Sequence, residues 1–96
     1  MKTVMFYGEE CTVQRGGYGN GNTALQLWTD EGPMATATVN LEDVLPKDKA
    51  YIKDYGENTG MLDALMEAGI VEAVIGQKQS GFVLIPLCVL NLEGIV

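Results

Sequence analysis

Apolar and polar positions alternate with a period of two along most of this chain, and that period predicts β-strands. Residues 2–7, KTVMFY, carry β-branched and aromatic side chains and form a first predicted strand, closed by Gly8. Glu9 and Glu10 mark the return. In 11–15, Cys11 and Val13 alternate with Thr12 and Gln14; in 23–28, Leu25 and Leu27 alternate with Gln26 and Trp28. Between these runs lies GGYGNGN, residues 16–22. A hairpin is predicted there, with Asn20-Gly21 supplying positive φ at both central positions of a tight turn. A second turn at 29–33 leads into MATATVNL, 34–41, with Ala35, Ala37, Val39 and Leu41 on one face and Thr36, Thr38 and Asn40 on the other. These strands form an antiparallel meander with one dry face. Leu45-Pro46 and the charged 47–49 segment break the pattern, and AYIKDY, 50–55, reads as a short fifth strand whose charges place it at an edge.

Helical period occurs once, in NTGMLDALMEAGI, where Leu62, Ala64, Leu65, Met66 and Ala68 recur at three- and four-residue spacing. Asn58 or Thr59 is expected to cap its start. Gly69 suits the left-handed position past its end, with Ile70 packing back on Leu65. Strand pattern returns at 71–75 and at 81–92, where Pro86 indicates an edge or a bulge. The expected fold class is α+β, an antiparallel β-meander sheet packed by one short α-helix, with residues 1–96 forming a single domain.

Composition agrees with a folded globule, at 47% hydrophobic against 20% charged residues. The longest uncharged apolar run, 81–90, is interrupted by Pro86 and falls short of the roughly 20 residues of a spanning helix. No secretory pattern follows Met1-Lys2, so the cytoplasm where the protein is made is the expected location. Cys11 and Cys88 stand far apart without a CxxC pair and are expected as free thiols. A net charge of −7 disfavours nucleic acid and lipid surfaces and favours a partner rich in Lys or Arg.

Chemistry narrows from there. The chain has no histidine, and Ser80 is its one serine, so a nucleophile–histidine pair cannot be assembled. Asp30, Glu31, Glu42, Asp43, Asp54 and Glu57 are oxygen donors for a hard cation in principle, but their spacing matches no loop motif and solvated turn carboxylates are the simpler reading. No metal or cofactor is expected. The glycine cluster leads into a strand, whereas phosphate-binding glycine loops open a helix; a small anion nest, with Tyr18 stacking on a base, is the alternative to a plain hairpin. Tyr51 and Tyr55, flanking Lys53, are candidates for an exposed contact stripe, and Trp28 for an interface anchor. Half-buried packing is the simpler reading for the two tyrosines, and partial exposure without an anchoring role for Trp28.

Residues 1–27, with MKTVMFYGEECTVQ and YGNGNTALQL, and 39–71, with VNLEDV and IKDYGENTGMLDALMEAGIV, resemble a family of small acidic proteins of unknown function encoded on conjugative elements, plasmids and phages of gut bacteria. SGFVLIPLCVL is similar to that family's last strand, while the tail NLEGIV is longer than usual. The resemblance implies a genomic setting and no catalytic or binding residue. In that setting small acidic proteins often act as anti-defence factors, such as anti-CRISPR proteins, whose carboxylates occupy basic grooves meant for nucleic acid. The leading expectation is therefore a non-enzymatic inhibitor of a bacterial immune complex, with Asp30, Glu31, Glu42, Asp43, Asp54 and Glu57 as charged contacts and Tyr51, Tyr55 and Trp28 as anchors. The alternatives are an oligomeric sponge for a nucleotide immune signal, using the 16–22 loop, and a structural or regulatory accessory of a conjugative element acting through a sheet edge or a homodimer; in each case the resemblance implies the cytoplasm of a bacterial host.

Overall fold

The computed structural model of the chain describes residues 2–96. Strands β1 (Thr3–Phe6), β2 (Glu9–Gly17), β3 (Thr23–Thr29) and β4 (Gly32–Thr36) pair antiparallel in the order β1-β2-β3-β4, the expected meander. Val4 lies opposite Cys11 and Val13 opposite Leu27. Residues paired in this way share a face, and these four, with Phe6 and Leu25, are buried. The period-two pattern thus becomes one dry sheet surface.

A second antiparallel sheet, which the alternation alone does not separate from the first, holds β5 (Thr38–Val39), β6 (Lys49–Ile52), β7 (Val71–Ser80) and β8 (Val83–Leu90) in the order β5-β6-β8-β7. The predicted 34–41 strand is divided between the two sheets at Ala37. Its N–H donates to the Leu25 carbonyl at 2.8 Å, and its carbonyl accepts from the Lys53 N–H at 2.9 Å. One small, fully buried residue therefore passes the chain from one sheet to the other. The inner face of the second sheet, Ala50, Ile52, Cys88 and Leu90, meets Val4, Phe6, Val13, Leu25 and Leu27 in one core. Ile95 closes that core from the C-terminal tail.

The 50–55 segment departs from its expected place at an edge. Strand β6 ends at Ile52 and lies between β5 and β8, with Ala50, Tyr51 and Ile52 buried. Lys53 and Asp54, whose charges suggested an edge, follow the strand and do not belong to it. Beyond 75 the strand pattern also continues further than expected, because β7 extends through the polar GQKQS to Ser80 and pairs with β8 as a long hairpin. Pro86 sits on β8 opposite Gln77, past the part of β8 that β6 covers, where its missing N–H costs no ladder bond to β6. Bulges occur in β7, between Val71 and Ala73 and between Val74 and Gly76.

Helix α1 (Met61–Glu67) packs against β1 and β7 through buried Met61 and Leu65. Its end follows the expected Schellman pattern: Ile70 N–H donates to the Leu65 carbonyl at 2.9 Å and Gly69 N–H to that of Met66 at 3.0 Å, with Gly69 at φ 75°. Its start does not follow expectation. Neither Asn58 nor Thr59 caps it; Asp54 Oδ1 accepts from the N–H groups of Gly60 and Leu62 at 3.0 and 2.9 Å. Asn58 is buried and donates to the Thr36 carbonyl at 2.7 Å. Met66, expected on the apolar face, is exposed.

Candidate functional site

The six carboxylates singled out from the sequence are spread over three connecting segments of the fold. Asp30 and Glu31 occupy the exposed β3–β4 turn. Glu42 is exposed in the loop after β5, and its neighbour Asp43 is committed within the protein: Tyr51 donates its hydroxyl to Oδ2 at 2.9 Å, and Lys78 Nζ forms a close ion pair with Oδ1. The Lys78 ammonium, then the Tyr51 hydroxyl, hold the Asp43 carboxyl below its ordinary range, and Asp43 in turn raises Lys78. Asp54 caps α1, and Glu57 pairs with Lys53 at 3.3 Å. Glu57 is lowered by a backbone hydrogen bond and by Lys53. Two of the six, Asp43 and Asp54, are therefore structural acceptors first.

The proposed aromatic stripe does not form. Tyr51 is 4% exposed, and its ring lies on the outer face of the second sheet with Leu87 opposite it, under the loop that carries Asp43. Burial, then the Asp43 carboxylate, raises its phenol. Tyr55 lies outside the strand, half-buried, with Lys53 Nζ 5.6 Å from its ring centre. Trp28 is half-buried opposite Thr12 and Pro33, with its indole N–H enclosed and unpartnered. None of the three stands out as an exposed anchor.

The glycine cluster is a hairpin turn. Gly16 and Gly17 continue β2 opposite Ala24 and Thr23, and the Gly21 N–H donates to the Tyr18 carbonyl at 2.9 Å. Of Asn20 and Gly21, Gly21 alone takes positive φ, at 90°. Tyr18 is tied to Thr38, hydroxyl to hydroxyl at 2.9 Å, which holds its ring against the second sheet. The chemistry of the loop resides in Asn22. Buried, it donates to Asn40 Oδ1 at 3.0 Å and to the Asp43 carbonyl at 2.6 Å, and accepts from the Leu45 N–H at 2.8 Å. It fastens the 40–45 loop to the first sheet.

A better candidate lies where β1 meets α1. Tyr7 and Gly8 join β1 to β2 with φ of 49° and 76°, a two-residue turn of type I′ sign. Tyr7 is the one non-glycine residue at positive φ among the described residues, in a region that costs such side chains roughly 1–2 kcal/mol. Its ring centre is 4.4 Å from that of Phe6, and its hydroxyl donates to the Thr59 carbonyl at 2.9 Å, just before α1. Tyr7 remains 63% exposed and Met5 59%. Asp63, Ala64 and Glu67 of α1 line the same shallow groove with Met5 and Tyr7. Across the ladder Glu10 pairs with Met5 and Glu9 with Phe6. No Lys or Arg lines the groove, and none of Glu9, Glu10, Asp63 and Glu67 is in an ion pair among the described residues. Sequence reading passed over this place because Met5 and Tyr7 fall within the predicted apolar run 2–7, whose outer positions and closing turn only the pairing identifies.

Among the described residues no group of His, Cys, Asp and Glu is arranged to hold a metal ion, and no helix is long and apolar enough to cross a membrane. Both cysteines are free and buried. Burial pushes the Cys88 thiol up to about 11, and burial followed by Glu9 raises Cys11. A scan against protein-family models, a search of curated proteins and a search of solved structures each returned no match.

Proposed function

We propose that this chain is a non-enzymatic inhibitor that binds a basic surface of another protein, of the anti-defence kind a mobile element directs at a bacterial immune complex. The observation that supports it is the groove between β1 and α1: exposed thioether and phenol side chains rimmed by unpaired carboxylates. Such a surface suits an Arg- or Lys-bearing segment, since the aliphatic stems lie on Met5 and Tyr7 while the charged ends meet Glu10, Asp63 and Glu67. The overall charge of −7 steers the encounter. The strained turn that presents Tyr7 is supported by contacts on both sides, the arrangement in which a costly backbone conformation persists. The resemblance to acidic proteins of mobile elements supplies the setting.

The test measures inhibition of immune complexes that carry basic nucleic-acid grooves. Reversal of Glu10, Asp63 and Glu67 to Lys is expected to remove inhibition while circular dichroism and the unfolding midpoint stay near wild type. Tyr7→Ser is expected to weaken binding about tenfold, as loss of a central aromatic contact does. Inhibition that persists at full strength in the triple reversal ends the proposal.

A further inference from the structure

Strand β7 is the outer strand of the second sheet, with β8 on one side and no strand on the other. From Glu72 to Ser80 every residue is exposed except the half-buried Gly76. Proteins blunt an edge of this length with proline, with clustered charge, with bulges or with a covering element, and of these β7 has two bulges. β7 contains no proline, and its charges are Glu72 and Lys78 alone. Val74 and Ile75, at its middle, are 46% and 51% exposed. The bulges leave Glu72 and Ile75 without a facing residue on β8 and add local twist to the strand, so the pairing of this edge rests on its exposure and on its charges.

We propose that β7 pairs antiparallel with β7 of a second copy, about a two-fold axis at Ile75, so that the sheets of two chains join edge to edge. The charges select the axis. With the two-fold at Ile75, Ile75 faces itself, and Glu72 of each copy lies opposite Lys78 of the other. Centring the axis on Lys78 sets two ammonium groups against each other, and centring it on Gln77 sets Val74 against Ser80 and pairs no charge. Opposite charges across a ladder stabilise it and like charges destabilise it. The favoured axis also covers the two exposed β-branched side chains of the strand. Lys78 keeps Asp43 as its partner within the chain and gains Glu72 from the other copy. An isologous contact of this kind closes on itself and yields a dimer, not a fibre. The surface belongs to the other sheet from the β1–α1 groove, so the inference stands whether or not the inhibitory function does.

Sedimentation equilibrium of the wild-type chain from micromolar to millimolar concentration is expected to show a monomer–dimer equilibrium. Ile75→Cys is expected to form an intermolecular disulfide on mild oxidation, because the residue faces itself and both native cysteines are buried. Ser80→Cys, which faces residue 70 in this register, is expected to remain uncrosslinked. Glu72→Lys is expected to raise the dimer Kd about tenfold, and Glu72→Lys combined with Lys78→Glu to recover it, with unfolding midpoints separating loss of pairing from loss of fold. A wild-type chain that stays monomeric across the whole range, or equal crosslinking of the two cysteine variants, overturns the proposal.

Discussion

Replacing Asn22 tests whether the glycine loop serves the architecture. The side chain is 4% exposed and spans two segments distant in sequence, donating to Asn40 and to the Asp43 carbonyl and accepting from the Leu45 N–H. A hydrogen bond contributes about 1 kcal/mol net, and a buried group left without a partner costs about 1–3 kcal/mol. Asn22→Ala leaves the Leu45 N–H and the Asp43 carbonyl without the amide they meet, and frees the loop that also holds Asp43 over Tyr51. The expected loss is about 2–4 kcal/mol. For a domain of this size 1 kcal/mol moves Tm by roughly 4–8 °C, so a fall of about 10 °C or more is expected. Urea unfolding reads the same loss as a lower midpoint at unchanged slope. Asn20→Ala is the control, since that exposed side chain accepts a single bond, from the Asn22 N–H at 3.2 Å, and its loss is expected to stay below about 1 kcal/mol. Asn22→Asp keeps an acceptor for Leu45 but turns a donor into a charge facing Asn40 Oδ1 and a carbonyl; it is expected to destabilise at neutral pH and to recover partly in acid. Equal losses for the Asn22→Ala and Asn20→Ala variants refute the reasoning.

Asp54→Ala removes the acceptor for two N–H groups at the start of α1 and is expected to cost about 0.5–2 kcal/mol in urea unfolding, with Asp54→Asn costing less. The thiols of Cys11 and Cys88 are expected to resist a thiol reagent at mildly alkaline pH in the native protein and to react fully in denaturant, because both are buried and the Cys88 pKa is near 11. Asp43 titrates below its ordinary range in the folded protein, so its contribution is present above the unfolded carboxylate value and is lost as pH falls through the folded one; Lys78, raised, contributes below the unfolded lysine value and loses its part as pH rises through the folded one. Asp43→Asn is therefore expected to flatten both the acid and the alkaline limb of a stability–pH profile, and an unchanged acid limb would count against the pairing.

The meander, the single helix and its glycine-marked end were legible because each rests on local chemistry: alternation for a one-sided sheet, a 3.6-residue period for α1, and the left-handed tolerance of Gly69. What stayed hidden depends on partners distant along the chain. The change of sheet at Ala37 leaves no mark in MATATVNL, since alternation continues through it and only the bonds to Leu25 and Lys53 separate the sheets. GQKQS carries no apolar period, yet it completes β7 because β8 offers a ladder. Tyr51 looked outward on the assumption of an edge; once β6 lies inside the sheet, the alternate face is covered by the 40–45 loop and the phenol needs Asp43. Phe82, at 107% exposure on the β7–β8 turn, is the most exposed aromatic of the chain and sat unmarked in an apolar run.

The same distinction decides how the acidity of the chain is to be tested. Residue type identifies Asp43 and Asp54 as charges, but the fold uses them as acceptors, for Tyr51 and Lys78 and for the first turn of α1. Reversing either one would disturb the 40–45 loop or the helix, and lost inhibition would report on folding. Glu10, Asp63 and Glu67 join no ion pair among the described residues, although Asp63 stands in the first turn of α1, and Asp30, Glu31 and Glu93, exposed elsewhere on the surface, join none either. Lysine at either set of three changes the net charge equally. Long-range steering depends on the summed field and acts mainly on the association rate, whereas contact in a groove acts mainly on dissociation. Both sets are therefore expected to slow association to a similar degree at low salt, and the groove set alone to speed dissociation in a manner that added salt does not abolish. Equal dissociation rates for the two sets would move the binding surface away from β1 and α1 and leave acidity as a property of the whole molecule.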